Sequence, residues 1–199
     1  MTTFSLLSTA APLTAALLVF IAQAFVSASE AGGGAAEGEA LLHFGPMASR
    51  FVAVDDRVMG GVSRSTMRQH DEGHAVFEGT LSLENNGGFA SVRAAGLTLD
   101  MRGATTLVLR VRGDGRRYKL RLHDDTRFDG VAHQAVFETT AGEWSEIALP
   151  IDSFAPVWRG RVVTNAAPLD RGRVAMVGVM VSDAQEGRFS LELDTLSLR

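Results

Sequence analysis

The 199-residue sequence contains no cysteine, which excludes disulfides, thiol nucleophiles and thiolate metal sites and leaves the redox compartment open. Aromatics other than phenylalanine are scarce, with two Trp and one Tyr against eleven Phe, so a surface built to stack on sugars has few candidates. Lysine is nearly missing: of 19 basic residues, Lys119 alone is not arginine. The planar arginine fork suits bidentate pairing with carboxylates. The bias fits ion pairs over a sheet or recognition of an anionic partner, although a GC-rich genome would also produce it. With 23 acidic residues the net charge is -4, which gives no whole-protein attraction for nucleic acid. Neither G-x-S-x-G nor H-E-x-x-H occurs, so acyl transfer and helix-borne zinc chemistry lack their signatures. No glycine loop opens a helix to cradle phosphate, and neither a cofactor nor a metal is expected.

One long apolar run is present, from Ala10 to Ala28, ending in the small residues Val26-Ser27-Ala28. It resembles a secretory signal, although no Lys or Arg precedes it, and its length of about 19 residues also suits a membrane anchor. Residues 1–28 are therefore expected to act as a signal peptide or anchor, making the protein exported, periplasmic or membrane-anchored, with membrane contact through this segment only. Residues 29–43 have the glycine-rich, acidic composition of a flexible linker, and the folded domain is expected over 44–199.

From Phe51 onward, short alternating runs are separated by turn residues. His74 to Leu83, Phe89 to Arg93, His133 to Thr139, Trp144 to Leu149 and Phe189 to Leu198 read as strands, with Asn85-Asn86-Gly87-Gly88 as a strong turn. Val174 to Val181 is apolar on both faces and reads as a central strand covered on both sides. Thr105 to His123 reads as a β-hairpin turning at Gly113-Asp114-Gly115. In that arrangement Leu107, Leu109, Val111, Tyr118, Leu120 and Leu122 share an apolar face, and Arg110, Arg112, Arg117, Lys119 and Arg121 share the other. About ten strands and no long helix imply an all-β fold, an antiparallel sandwich of jelly-roll type.

Five runs, taken together and in this order, resemble the complex I intermediate-associated protein 30 family. They are D-D-R-V-M-G-G-V-S-R-S (Asp55 to Ser65), L-E-N-N-G-G-F-A-S-V-R (Leu83 to Arg93), L-R-V-R-G-D-G-R-R-Y-K-L-R-L (Leu109 to Leu122), F-A-P-V-W-R-G-R (Phe154 to Arg161) and Val177 to Leu193. The resemblance implies a galactose-binding-like β-sandwich. It also implies a chaperone-like assembly role toward NADH:ubiquinone oxidoreductase, with a protein partner such as a respiratory-complex subunit or assembly intermediate and no catalytic centre. Asp55, Asp56, Arg57, Gly60, Gly61, Asn86, Gly87 and Gly88 form its loop signature.

The candidate binding residues are the five cations of Arg110 to Arg121, together with Trp158, Arg159 and Arg161, where an aromatic flanked by arginines could anchor a partner. Trp144 is expected in the core. His70 and His74 are four apart, but a strand-and-turn context does not place them on one helical face. Asp124, Asp125 and Asp129 crowd one loop, which is read as solvated and paired with nearby arginines rather than as a cation site. The rival readings are a carbohydrate-binding sandwich and, beyond that, a glycosidase-like enzyme, which would need two facing carboxylates.

Overall fold

A computed structural model describes residues 40–127 and 129–199. The strands are β1 (Ala40–His43), β2 (Val52–Ala53), β3 (Arg64–Gln69), β4 (Ala75–Leu81), β5 (Ala90–Leu99), β6 (Thr106–Arg112) and β7 (Arg117–His123). They continue with β8 (Ala132–Glu138), β9 (Trp144–Pro150), β10 (Ala155–Trp158), β11 (Arg161–Val162), β12 (Val174–Val181) and β13 (Gly187–Leu198). One sheet runs β3-β4-β13-β6-β9, with β1 also paired to β13; the other runs β11-β10-β8-β7-β12-β5-β2. The strands pair antiparallel, and the two sheets enclose one core, so the fold is an antiparallel β-sandwich.

The core follows from period-two alternation. Phe189, Leu191 and Leu193 of β13 and Leu107, Leu109 and Val111 of β6 are buried against Leu120, Leu122, Val177, Val179 and Val181 of the facing sheet. As expected, β12 is central, lying between β5 and β7 with all its residues but Met180 buried. Its inward residues Val177, Val179 and Val181 lie in the core, where a polar side chain would have nothing to bond. The expected linker is too long at its C-terminal end. Residues 40–43 form β1, where Leu42 is buried and pairs with Leu196, so the sheet begins before Phe44. The expected signal or anchor over 1–28 lies outside the described residues, and among the described residues no helix is long and apolar enough to cross a membrane.

The expected hairpin does not form. β6 pairs with β13 and β9, whereas β7 pairs with β8 and β12, so residues 113–116 cross from one sheet to the other. Both arrangements satisfy the same alternation. In a hairpin the two apolar sets would lie side by side; here they face each other across the core. Asp114 fastens the crossing: its Oδ1 accepts from Tyr118 Oη at 2.9 Å and from the Arg116 N–H at 3.1 Å, and its Oδ2 accepts from the Ser190 N–H at 3.0 Å. Tyr118 is fully buried, and burial, with Asp114 beside it, raises its phenol well above the ordinary value. One carboxylate thus ties β7 to β13 in the opposite sheet.

The crossing separates the five cations onto opposite outer faces. Arg110 and Arg112 lie on the six-stranded sheet, paired with Asp194 and Glu192. Between them lies Trp144, which is half-buried on the outside and not in the core, its ring 4.8 and 5.1 Å from the two guanidinium carbons. Asp114→Ala strands the Ser190 N–H and leaves the Tyr118 hydroxyl only its longer bond to the Ser190 carbonyl at 3.3 Å, and it is expected to cost about 2 kcal/mol in urea unfolding, against about 1 kcal/mol for Tyr118→Phe. An Asp114→Ala variant as stable as the wild type would show that the core alone holds the crossing.

Candidate functional site

Two loops that are distant in sequence meet at one carboxylate. Asp56 is fully buried and accepts from the Ser63 N–H at 2.9 Å, Ser63 Oγ at 2.5 Å, the Gly88 N–H at 2.7 Å and the Phe89 N–H at 3.4 Å. Asp55 accepts from the Ser65 N–H and Oγ at 2.9 and 2.6 Å and from the Ser91 N–H at 3.0 Å. Both aspartates are therefore loop organisers. The glycines of both motifs follow from this packing: a Cβ on Gly61 would stand 2.4 Å from the Asp56 carboxyl carbon, and one on Gly87 2.6 Å from its Oδ2. Gly60 ends the short helical turn Asp56–Met59 within the first loop at φ +95°, a conformation that other residues avoid. Arg57 is exposed and contributes its carbonyl, which accepts from the Gly60 N–H. Burial pushes Asp56 upward in pKa, but the bonds from Ser63, Gly88 and Phe89 outweigh it and hold the carboxyl below its ordinary 3.8.

These loops wall a groove of about 680 Å³ over the outer face of the seven-stranded sheet. One wall carries Val58 and Met59, exposed by 62% and 65%, and another carries Asn86, Gly87 and Gly88. The floor is set by register. Arg93 of β5 is opposite Gly178 of β12, which is opposite Arg121 of β7, which is opposite Gln134 of β8. Period two then puts Lys119 on the same face, where its Nζ donates to Asp183 Oδ1 and Ser182 Oγ, both at 2.7 Å. On the rim, Arg159 pairs with Asp129 at 2.6 Å and covers the Trp158 ring at 4.7 Å, while Trp158 Nε1 donates to the Asp129 carbonyl at 3.1 Å.

Arg121 differs from these cations. It is only 7% exposed, its Nε has no hydrogen-bond partner, and among the described residues no carboxylate pairs with it. Burial, with Arg93 as a nearby like charge, depresses it to about 10. His123, two residues along β7, is buried with both ring nitrogens unbonded; burial first, then Arg121 and Arg93, depress it to about 4, so it is neutral at pH 7. The groove's described carboxylates are Asp129 and Asp183. Arg159 holds the first low, and Lys119 and Ser182 hold the second low against its burial.

The predicted site residues thus divide. Lys119, Arg121, Arg159, Asn86, Gly87 and Gly88 line the groove; Trp158 stands at its rim, and Arg161 is exposed on the edge strand β11. Arg110 and Arg112 lie on the opposite face, and Arg117 is exposed at the start of β7. Sequence reasoning missed Arg93, Gln134 and Asp183. The glycine interrupting the β-branched β12 was the available signal, since an isolated strand glycine marks close approach. In the acidic loop, Asp125 pairs with Arg127 and Asp129 with Arg159. The β3–β4 turn stacks His70 on His74 at 4.4 Å, and with Glu72 they bring ligand atoms within 4.8 Å of one another, a proximity the linear spacing did not suggest. Yet His70 Nδ1 already accepts from the Glu72 N–H, and His74 Nε2 faces Glu192 at 2.8 Å.

In class, the fold is that of carbohydrate-binding sandwiches. A family 11 carbohydrate-binding module of a Clostridium thermocellum cellulosomal cellulase superposes with a TM-score of 0.55 at 13% identity, covering 75% of this chain and 86% of that one. A carbohydrate-binding module of the β-sandwich superfamily gives 0.50 at 14% identity, covering 83% and 63%. At such identities the likeness is one of fold alone. The sequence identifies the family: the model for complex I intermediate-associated protein 30 matches residues 43–193, and the chain belongs to that family.

The Mus musculus mitochondrial complex I intermediate-associated protein 30 is 29% identical over 169 residues, 75% of this chain and 52% of the relative. Its Drosophila melanogaster counterpart is 26% identical over 159 residues, 69% and 54%. The chain spans about half the length of the curated relatives it matches. The expectation of an exported, periplasmic or membrane-anchored protein is corrected by these relatives, which are named as mitochondrial proteins.

Because the folded-state pKa of Asp56 is depressed, its contribution is complete above the unfolded-state value near 3.8 and is lost as pH falls through the lower folded value. Asp56→Asn is expected to cost about 3 kcal/mol at neutral pH. It is also expected to flatten the loss of wild-type stability on acidification below that value, read from urea midpoints across an acid pH series. Parallel acid limbs in the two proteins would assign the acid sensitivity to other groups.

Proposed function

We propose that this chain is a non-catalytic, chaperone-like module that holds a subunit or assembly intermediate of respiratory complex I through the groove on its seven-stranded sheet. Family membership supports the assembly context. The observation that carries the reading is the groove itself, where the exposed apolar side chains of Val58 and Met59 stand over a cationic floor, a combination suited to a protein surface. Its chemistry favours binding over catalysis. A glycosidase needs one carboxyl raised to serve as an acid, whereas Asp129 and Asp183 are both held low in ion pairs. A carbohydrate site is favoured less, because Phe89 is the only aromatic among the described residues lining the groove, and sugar rings bind by stacking on such faces.

The test is capture of the tagged full chain from its native cells followed by mass spectrometry. Wild-type protein is expected to recover complex I subunits, and Val58→Asp with Met59→Asp to lose them at an unchanged melting temperature. Recovery of no such subunit by the wild type, or equal recovery by the double variant, contradicts the reading.

A further inference from the structure

A guanidinium on a side chain only 7% exposed, with no hydrogen-bond acceptor at Nε and no carboxylate partner among the described residues, is a costly arrangement, because much of its hydration is lost and no counter-charge replaces it. The cost rises with Arg93 two strands away in the same transverse row. The intervening residue is Gly178, and a Cβ there would stand 3.1 Å from the Val92 carbonyl oxygen and 3.3 Å from Arg93 Cγ, both tight, and 3.8 Å from Arg121 Cβ, an ordinary contact. The glycine thus makes room for the Arg93 stem beside that of Arg121. Four of the cations described above are matched by carboxylates, Arg110 with Asp194, Arg112 with Glu192, Lys119 with Asp183 and Arg159 with Asp129, while Arg57, Arg117 and Arg161 are exposed to water. Arg121 breaks that pattern at the bottom of an open groove. A buried charge left without a counter-charge inside an accessible cavity is the signature of a site completed by its ligand.

We propose that the groove is an oxyanion site, in which Arg121, with Arg93 across Gly178 and the Gln134 amide beside it, receives a carboxylate or phosphate group of the bound molecule. The guanidinium fork is planar and presents parallel N–H donors, which match the paired oxygens of either group. The rest of the ligand lies against Val58 and Met59, since a cavity of about 680 Å³ is far larger than a bare anion. This goes beyond partner docking by naming the chemical group recognised, and it rests on that reading only in assigning the groove as the working face.

The test follows the arginine Nε–Hε signals of the full chain by two-dimensional NMR during titration with sodium phosphate and, separately, succinate, at ionic strength matched with chloride. Saturable movement of the Arg121 signal with either anion is expected, and the anion that saturates at lower concentration identifies the group as phosphate or carboxylate. In Arg121→Gln the saturable response of the remaining groove signals should weaken at least about tenfold. Because the buried charge has no carboxylate partner among the described residues, Arg121→Leu is expected to melt within about 3 °C of the wild type or above it.

Movement that never saturates, as water or general screening would give, overturns the site. So does an unchanged response in Arg121→Gln, or unfolding of Arg121→Leu, which would make the residue structural. A wild type that captures complex I subunits but shows no saturation keeps the docking reading and loses the oxyanion site. One that saturates but captures nothing does the reverse.

Discussion

The Asp56 carboxylate is the constraint on which the working face depends. It is fully enclosed and takes hydrogen bonds from residues 7 to 33 positions further along the chain. A buried carboxylate is tolerable only when its lone pairs are occupied, and here the backbone of two loops occupies them. Those loops are the wall carrying Val58 and Met59 and the wall carrying Asn86, Gly87 and Gly88. The groove is consequently built by polar satisfaction at its margins, over a floor fixed by strand register. The glycines serve the same carboxylate, since Gly61 and Gly87 leave the space that it fills.

Charge is handled differently on the two faces of the sandwich. Over the six-stranded sheet, Arg110 and Arg112 flank Trp144 and end on Asp194 and Glu192, so both of these cations are matched. Over the seven-stranded sheet, Lys119 and Arg159 are matched at the margins while Arg121 is buried without a counter-charge among the described residues. Exposed pairs of the first kind add about 0 to 1 kcal/mol each. The second arrangement opposes stability, which is the ground on which the groove floor is proposed as a binding site.

The strands were legible because period two is a local property: Val174 to Val181 and the alternation of Phe189, Leu191 and Leu193 need no tertiary knowledge to be read. The partnering of strands was not legible. Leu107 to Val111 and Tyr118 to Leu122 carry one pattern that serves a hairpin and a sheet-to-sheet crossing equally, and the deciding contact, Asp114 to Ser190, spans 76 residues. The same error displaced the site, since grouping five cations on one face required the hairpin. Trp144 was misplaced because an apolar start to a strand does not say which face is buried. The loop signature was visible as motifs, but that Asp56 joins them depends on burial, which sequence spacing does not record. Arg93 and Arg121 become neighbours only through β12, a strand that lies 53 residues or more beyond either of them.

The central claim is that one carboxylate holds both walls of the groove, and amide hydrogen exchange in Asp56→Asn tests it most directly. The account predicts that the Ser63, Gly88 and Phe89 amides lose protection together while Val177 to Val181 in the central strand keep theirs. Faster exchange at Ser63 with Gly88 and Phe89 unchanged would contradict it, because the second wall would then stand without Asp56.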